Sequence, residues 1–454
     1  MNEKYFVAIF GGAVAGSEAA RKLAEKGIPS VVFEQNALPY GKLEVGLPKW
    51  HFKLRDRQEK LINEKLKHEL IYFVPHTRLG RDLDIQNLLD EWKFSAILLA
   101  IGAWRDRPIP IDGIDAFIGK GLLYQSQITQ WFNFCHDPQY KGPQYFIPYR
   151  NLAVLGGGLA SLDIIKIVVI RQVLQRLQEK GITYDALRLE KNGVPKSLEQ
   201  LGITFESLKI EPPTLYVRSS LEEMPLVPLP ENATKEQQEA ANATRKKLIN
   251  KLQEKFPFKL ANNFQAIDKL DDGDRLTGLV LQKTKSVNGN IELIPGTETQ
   301  VETELVIGSI GAIPEPLPGI PMKGEIFDVV DYESGKINHF PNVFALGNAV
   351  TGRGNIRQSM KHSKQITETI IDNYLSLDEE DYGKIFEARN KQAEHRVNFI
   401  LQSIEENKPL TGQEIRTILD RIANLQERAG YSGDFDAWIQ AHLPVRLEKM
   451  VDFE

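Results

Sequence analysis

The sequence predicts an α/β protein with two doubly wound domains, each built on a parallel sheet. Two glycine-rich loops carry this prediction: Gly11–Gly16 and Gly156–Ser161 each stand between an apolar run and a helical run. The length supports it as well, because 454 residues are too many for one hydrophobic core and two or three domains are expected.

Composition and charge exclude several classes of protein. The formal net charge of −5 argues against nucleic acid as the main partner. No run of 18 apolar residues exists, and the first strand begins at Tyr5, so neither a membrane span nor a cleavable leader is expected and a cytoplasmic location is predicted. The single cysteine, Cys135, excludes a disulfide framework, an in-chain iron–sulfur cluster and a Cys-x-x-Cys pair, and no metal site is expected. We expect Cys135 to pack and not to react.

The first unit begins with the apolar run Tyr5–Phe10, followed by a helix over 18–26 and a second strand over 30–34. Its loop has glycine where a tight turn and close helix–strand packing require it. Ala13 occupies the middle position, where the backbone approaches a pyrophosphate at the helix N-terminus. Glu34 ends the second strand, where an acid receives ribose hydroxyls. The unit therefore predicts a dinucleotide site.

The second unit repeats this order, with a strand over 152–155, a helix over 161–180 and a strand over 214–217. Two units in one chain need two dinucleotides, and the usual pair is FAD with NAD(P)H. Arg218 stands at the end of the second strand, where an acid would hold the free ribose of NAD and a cation suits the 2′-phosphate of NADP. Ser219 and Ser220 can add hydrogen bonds. NADP is therefore favoured over NAD, the alternative being a solvated strand-end arginine.

The rest of the chain completes the domains and adds a tail. Short strands over 258–283 predict a small meander, and a strand over 342–346 leads to a helix over 355–375. Residues 397–404 and 415–425 form amphipathic helices, the second opened by a capping box at Thr411 and Glu414. These helices either fold back on the domains or meet another chain. We favour a partner or self-association surface, and thus a possible homo-oligomer.

At this point the chain resembles a known group of flavoproteins. Glu34, Tyr40-Gly-Lys-Leu-Glu-Val-Gly46, Ala100-Ile-Gly102 and the Gly156 motif occur in the order found in adrenodoxin reductase/ferredoxin–NADP reductase proteins and the glutamate synthase small subunit. Further matches are Gly80-Arg81-Asp82, Trp131-Phe-Asn133, Glu223-Met-Pro225, the long segment between Lys166 and Thr214, and the closing motif over 344–356. The resemblance covers residues 4 to 375 and excludes the tail.

The resemblance implies a split FAD domain (1–115 and 305–376) that receives an inserted NAD(P) domain (116–304), with a helical extension over 377–454. It also implies the binding residues. For FAD they are Gly11, Ala13, Val14, Ala15, Gly16, Glu34, Gln35, Gly41, Lys42, Leu43, Gly46, Ala100, Ile101, Gly102, Gly347, Asn348, Gly354, Asn355 and Ile356. For NAD(P) they are Gly156, Gly157, Gly158, Leu159, Ala160, Ser161, Arg218, Ser219 and Ser220.

Departures from the family pattern bear on the subfamily. Asn348 stands where relatives carry Asp or Trp, so it can hydrogen-bond the ribityl chain but cannot stack. His51 falls where adrenodoxin-type reductases keep a histidine beside the flavin, which makes it the candidate catalytic residue. The alternative is a surface histidine in a basic stretch, which includes Lys49 and Arg55. That stretch is either a solvated face or a dock for an acidic electron carrier.

The expected function is an FAD-dependent NAD(P)H oxidoreductase of the ferredoxin–NADP reductase kind. Electrons would pass from NADPH through FAD to a ferredoxin or flavodoxin. A second hypothesis is an electron-input subunit of a larger complex, like the glutamate synthase small subunit. A third is a flavin-binding interaction protein that acts through its helical tail.

Overall fold

The computed structural model describes residues 4–227, 229, 233–351 and 380–450. The predicted helix over 355–375 and the predicted FAD contacts Gly354, Asn355 and Ile356 lie outside these residues. The first stretch contains four strands and four helices, listed in chain order: β1 (Val7–Phe10), α1 (Val14–Glu25), β2 (Ser30–Phe33), α2 (Lys42–Val45), α3 (Phe52–Leu66), β3 (Ile71–Val74), α4 (Ile85–Asn87) and β4 (Ala96–Leu99).

The middle of the chain forms the second unit. Its elements are β5 (Arg105–Asp106), β6 (Leu122–Tyr124), α5 (Gln125–Phe134), β7 (Leu152–Leu155), α6 (Leu159–Glu179), α7 (Ala186–Asn192), α8 (Val194–Gln200), β8 (Thr214–Val217), α9 (Lys235–Lys255) and β9 (Lys259–Asn262). Single turns of 3-10 helix lie at Lys49–His51, Ile114–Phe117, Glu206–Leu208, Leu221–Glu223 and Leu447–Lys449, and a π turn at Leu88–Trp92.

The remaining elements are mostly short strands and the tail helices. The strands are β10 (Phe264–Asp271), β11 (Leu276–Val287), β12 (Asn290–Leu293), β13 (Thr299–Glu302), β14 (Leu305–Gly308), β15 (Ala312–Ile313), β16 (Met322–Lys323), β17 (Ile326–Phe327) and β18 (Val343–Ala345). The helices are α10 (Asn348–Thr351), α11 (Glu380–Glu405), α12 (Gly412–Ala429) and α13 (Phe435–His442).

Two parallel five-stranded sheets confirm the predicted α/β fold class. The first has the order β18-β4-β1-β2-β3 and the second β6-β14-β7-β8-β9. All residues of β1, β2 and β4 are buried, because helices cover both faces of such a sheet, and this produces the unbroken apolar runs. The antiparallel meander β10–β13 extends to Glu302, further than the segment predicted for it.

The chain crosses between the two sheets twice. It leaves the first sheet after β4 and returns after β14, and the crossings pair with each other as β5 and β15. The predicted boundary at residue 305 falls before β14, yet this strand is hydrogen-bonded between β6 and β7 of the second sheet. The return to the first sheet therefore comes after Gly308, about four residues later than the resemblance implied, because long-range pairing decides which sheet a strand joins.

The helices of the tail pack on the first sheet. Their apolar faces were predicted to form a partner or self-association surface, and the structure corrects this. Val397, Ile400 and Ile404 of α11 join α13 in one buried cluster with β1, α1 and α3. Ile418 and Ile422 of α12 join the buried cluster on the opposite face of the sheet. The amphipathic pattern showed that these faces are buried, but not what covers them. The covering surface is the chain's own first domain.

Candidate functional site

The first glycine-rich loop can be built only with glycine at its two ends. Gly11 has φ +98°, and a Cβ there would lie 2.6 Å from the carbonyl oxygen of Ala100. A Cβ on Gly16 would lie 1.8 Å from the carbonyl oxygen of Gly11. Both approaches are below any real Cβ contact, so the loop is clamped between the end of β4 and the start of α1. This is the close packing that the motif predicts.

Glu34 leaves the end of β2 and turns towards this loop. One carboxylate oxygen accepts a hydrogen bond from the Gly12 N–H at 3.0 Å, and the other accepts from the Asn36 N–H at 3.0 Å. The residue is 3% exposed. Burial raises the pKa of this carboxyl, and the hydrogen bonds from Gly12 and Asn36 oppose that rise. The side chain is thereby fixed at a strand end, where a ribose hydroxyl could donate to it.

The start of α1 offers free backbone donors. Ala13 is its N-cap residue and makes no side-chain hydrogen bond to the first turn, and that turn contains no acidic residue. The first N–H groups of a helix lack intrahelical partners, and the helix dipole favours negative charge there. A pyrophosphate fits this place through its charge and through the small side chains of Ala13 and Ala15.

Other predicted FAD residues gather at the same carboxyl edge. A Cβ on Gly41 would lie 3.2 Å from Cβ of Ala13, and one on Gly347 would lie 3.1 Å from Cβ of Ala15. The loop after β4 and the loop after β18 therefore flank the Gly11 loop, together with the short helix α2. Members of the predicted set in these flanking segments are Lys42, Leu43, Gly46, Ala100, Ile101, Gly102 and Asn348.

The second loop has the same construction at the end of β7. A Cβ on Gly156 would lie 2.3 Å from the carbonyl oxygen of Ser309, which follows β14. Ser161, at the third small position, donates its hydroxyl to the Gly158 carbonyl oxygen at 2.6 Å. Gly158 is the N-cap of α6 and has open space where a side chain would be. A second helix N-terminus without a side-chain cap therefore stands at the carboxyl edge of the second sheet, where the helix dipole favours an anion.

Arg218 lies directly after β8 with an exposed side chain. Within the described residues its guanidinium makes no ion pair, while its carbonyl oxygen accepts from the Thr284 hydroxyl at 2.7 Å. Ser219 is buried, and the Ser220 hydroxyl donates to Glu223 at 3.1 Å in a capping box. Arg218 is therefore free to meet an anion, whereas Ser220 already has a carboxylate partner.

His51 meets a carboxylate from the other unit. Its Nε2 lies 3.7 Å from Oδ1 of Asp163 on α6, and the two side chains are 8% and 12% exposed. Sequence reasoning singled out His51 and missed Asp163. The available signal was a carboxylate in the helical run Leu162–Ile170, which is apolar apart from Asp163 and Lys166.

The basic stretch after Gly46 is only partly a surface, which corrects its interpretation as one exposed basic face. Lys49 and Arg55 are each 6% exposed. Burial lowers the pKa of Lys49 to about 8, and its ammonium lies 4.3 Å from the centroid of the Phe132 ring. Asn133 of α5 fixes the backbone here, because its side chain accepts from the Lys49 N–H and donates to the Leu47 carbonyl oxygen. This helix ties the segment to the second unit.

None of the described helices is long and apolar enough to cross a membrane. Among the described residues, no group of three or more histidine, cysteine, aspartate or glutamate side chains could hold a metal ion. Cys135 is a free, partly buried thiol packed against the core of the second domain.

Comparison with known proteins gives partial matches in sequence and a nearly complete match in fold. No family model matches the chain. Cindoxin reductase of Citrobacter braakii is 30% identical over 168 residues, 36% of this chain and 34% of that protein. The small chain of NADPH glutamate synthase from Bacillus subtilis is 28% identical over 179 residues, 38% of this chain and 34% of that protein. The match thus spans about a third of these relatives.

A solved structure extends the likeness to almost the whole chain. Mycobacterium tuberculosis FprA in complex with NADPH superposes with a TM-score of 0.66 at 16% identity, covering 94% of this chain and 91% of FprA. These matches confirm the resemblance indicated by the motifs and confirm the fold of two nucleotide-binding domains.

Proposed function

We propose that the chain is an FAD-dependent NAD(P)H oxidoreductase that passes electrons from NADPH through FAD to an external carrier. The observation that carries the proposal is the pair of glycine-clamped loops, each facing an uncapped helix N-terminus, in one chain. Glu34 at the end of β2 suits a ribose hydroxyl, whereas Arg218 at the end of β8 suits a phosphate, so the two sites would prefer different dinucleotides. A cytoplasmic location and the predicted binding residues stay predictions.

The residues of this chain fit the two groups and supply binding and orientation. The first turn of α1 would hold the pyrophosphate of FAD, and Glu34 would accept hydrogen bonds from its adenosine ribose. The first turn of α6 would hold the pyrophosphate of NADPH, and Arg218 would pair with the 2′-phosphate. When bound, these groups supply hydride transfer from the nicotinamide to the flavin, which needs positioning more than an acid or base.

His51 and Asp163 join the two units at the site. A carboxylate beside an imidazole can fix the orientation of the ring. Asp163 would therefore orient the His51 ring between the two domains. The pair belongs to the contact between the α3 segment and α6, so it is sensitive to how the domains meet.

The proposal is tested by anaerobic titration of the purified protein with NADPH and with NADH. We expect FAD, identified after release by denaturation, and bleaching of its absorbance at lower concentrations of NADPH than of NADH. Detection of FMN in place of FAD, or a flavin that neither cofactor reduces, would contradict the proposal.

A second candidate is an electron-input subunit of a larger enzyme. Two matched relatives support it by name: the NADPH-Fe(3+) oxidoreductase subunit beta of Geobacter sulfurreducens, 30% identical over 171 residues, and the glutamate synthase small chains. Copurification with an iron–sulfur partner protein would favour this candidate. Rapid reduction of an added ferredoxin or flavodoxin by the isolated chain would favour the first.

The third hypothesis, an interaction protein that acts through its tail, loses its main support. The apolar residues that suggested a docking surface lie in the two buried clusters of the first domain. We therefore keep the two electron-transfer candidates.

A further inference from the structure

The two crossings between the domains form a two-stranded ladder. β5 follows β4 of the first sheet and β15 follows β14 of the second, and Asp106 pairs with Ala312 in antiparallel register. One residue further, the Arg107 N–H donates to the Gly311 carbonyl oxygen at 3.0 Å. This ladder is where a change in the angle between the domains would be absorbed.

On one side, the Asp106 side chain meets the second domain. Oδ2 of Asp106 accepts a hydrogen bond from the hydroxyl of Ser126, in the first turn of α5. The neighbouring Gln125 faces Asp106 as well, and its amide oxygen accepts from the Ser309 hydroxyl at 2.8 Å. The carbonyl oxygen of Ser309 is the atom that clamps Gly156. A continuous polar chain therefore runs from Asp106 to the second glycine-rich loop.

On the other side, Asp106 faces the first domain through Lys42. Lys42 opens α2, directly after Gly41, which packs against Ala13 of the first loop. Burial lowers the pKa of Lys42, and the charges of Asp106 and Glu315 oppose this. Burial likewise raises the pKa of Asp106, opposed by the hydrogen bond from Ser126 and by the charge of Lys42. The charge of each group thus opposes the effect of burial on the pKa of the other, although burial determines the net direction of both shifts.

Asp106 also has an acceptor atom that its surroundings do not use. Its Oδ1 is buried and has no hydrogen-bond partner among the described residues. Holding a carboxylate at such a site costs desolvation free energy, which its hydrogen bonds and the opposite charge nearby offset. The charge facing Lys42 is the property that an amide at this position would lack.

We propose that Asp106 is a positioning residue, which sets the angle between the two domains and so the distance between the nicotinamide and the flavin. This rests on the proposed function. The reacting atoms of a hydride transfer must lie about 3–3.5 Å apart, and a misplacement of about 1 Å costs roughly a hundredfold in rate. Asp106 acts through Lys42 on the first loop and through Gln125, Ser126 and Ser309 on the second.

The test compares Asp106→Asn with Arg105→Gln in the full-length, FAD-loaded protein. Asparagine keeps the shape and removes the charge, while Arg105 is the exposed neighbour on the same two-residue strand. Anaerobic stopped-flow reduction by NADPH gives the limiting rate and the dissociation constant separately. The long-wavelength charge-transfer absorbance of stacked nicotinamide and flavin reports their geometry. FAD content per chain is measured for each variant.

For Asp106→Asn we expect FAD content and the NADPH dissociation constant within about twofold of wild type. The limiting rate should fall roughly tenfold to a hundredfold, with loss of the charge-transfer band. Arg105→Gln should match wild type, and Asp106→Glu should restore part of the rate. Ser126→Ala removes one hydrogen-bond donor to Asp106 and should lower the limiting rate by a smaller factor. This variant tests the inference if Asp106→Asn does not fold.

Two outcomes would overturn the inference while leaving the proposed function intact. One is that both Asp106→Asn and Ser126→Ala keep the wild-type limiting rate of flavin reduction and the wild-type charge-transfer band. The other is a proportional loss of FAD, NADPH binding and rate, which would show a purely structural residue. If wild-type protein is reduced by neither NADPH nor NADH, the proposed function fails and the inference falls with it.

Discussion

Replacing Trp438 should show that the tail is part of the first domain. Trp438 on α13 is 9% exposed, and its indole N–H donates to the Ala37 carbonyl oxygen at 2.8 Å. Ala37 lies three residues after Glu34, so this bond holds the chain that leaves the predicted ribose site. The ring also packs on His442, with centroids 3.9 Å apart.

The size of the effect follows from these contacts. Truncating a buried tryptophan to alanine costs about 3–5 kcal/mol, so Trp438→Ala should lower the free energy of unfolding of the first domain by this amount. Trp438→Phe keeps an aromatic ring and loses the hydrogen bond, at a cost of about 1 kcal/mol. With a urea dependence of about 1–3 kcal/mol per molar, the alanine variant's midpoint should fall by roughly 1–5 M.

The assay is urea unfolding followed by flavin fluorescence on release and by circular dichroism. Gln440→Ala changes an exposed residue of the same helix and serves as the control. A midpoint unchanged by Trp438→Ala, together with a changed mass in light scattering, would refute the reasoning. It would mean that the tail packs between chains and not on its own domain.

Three further outcomes are expected. Gly16→Leu should abolish flavin retention without unfolding the second domain, because its Cβ would lie 1.8 Å from the Gly11 carbonyl oxygen; FAD per chain measures this, and full retention would contradict the loop assignment. Arg218→Ala should raise the Michaelis constant for NADPH roughly tenfold or more and leave that for NADH nearly unchanged, whereas an equal effect on both would make Arg218 structural. Lys49 has its pKa lowered to about 8 by burial, against an ordinary value of about 10.4, so the folded state binds fewer protons between these values and stability should rise with pH across that range. Lys49→Met should remove this rise and increase stability at pH 7, measured by urea midpoints; a persisting rise would assign it to another group.

The sequence predicted the loop conformations that depend on local geometry, while the binding roles of their residues stay predictions. The positions of Gly11, Gly16 and Glu34 are dictated by one strand–loop–helix unit, so their spacing alone indicates their places. The same holds for Gly156 and Arg218 in the second unit. Each loop is clamped by the residue that follows the neighbouring strand of its own sheet. Ala100 follows β4, which pairs with β1, and Ser309 follows β14, which pairs with β7.

Features that depend on long-range packing could not be predicted in this way. Asp163 is only an interruption in an apolar helix until the fold brings it 3.7 Å from His51. From the sequence alone, Lys49 is expected to be a solvated charge, but the fold buries it against Phe132. Amphipathic spacing in the tail likewise predicts that one face of each helix is buried, but it does not indicate which surface covers that face.

The topology of the first sheet also determines when this domain can fold during synthesis. Its order β18-β4-β1-β2-β3 and its covering helices α11–α13 take residues from both ends of the described chain. The second sheet, from β6 to β14, is complete once about residue 308 has left the ribosome. The nascent first domain therefore lacks its edge strand β18 and the helices α11–α13 while the second one folds. Its packing can be completed only after Arg446, which pairs with Glu59, has emerged.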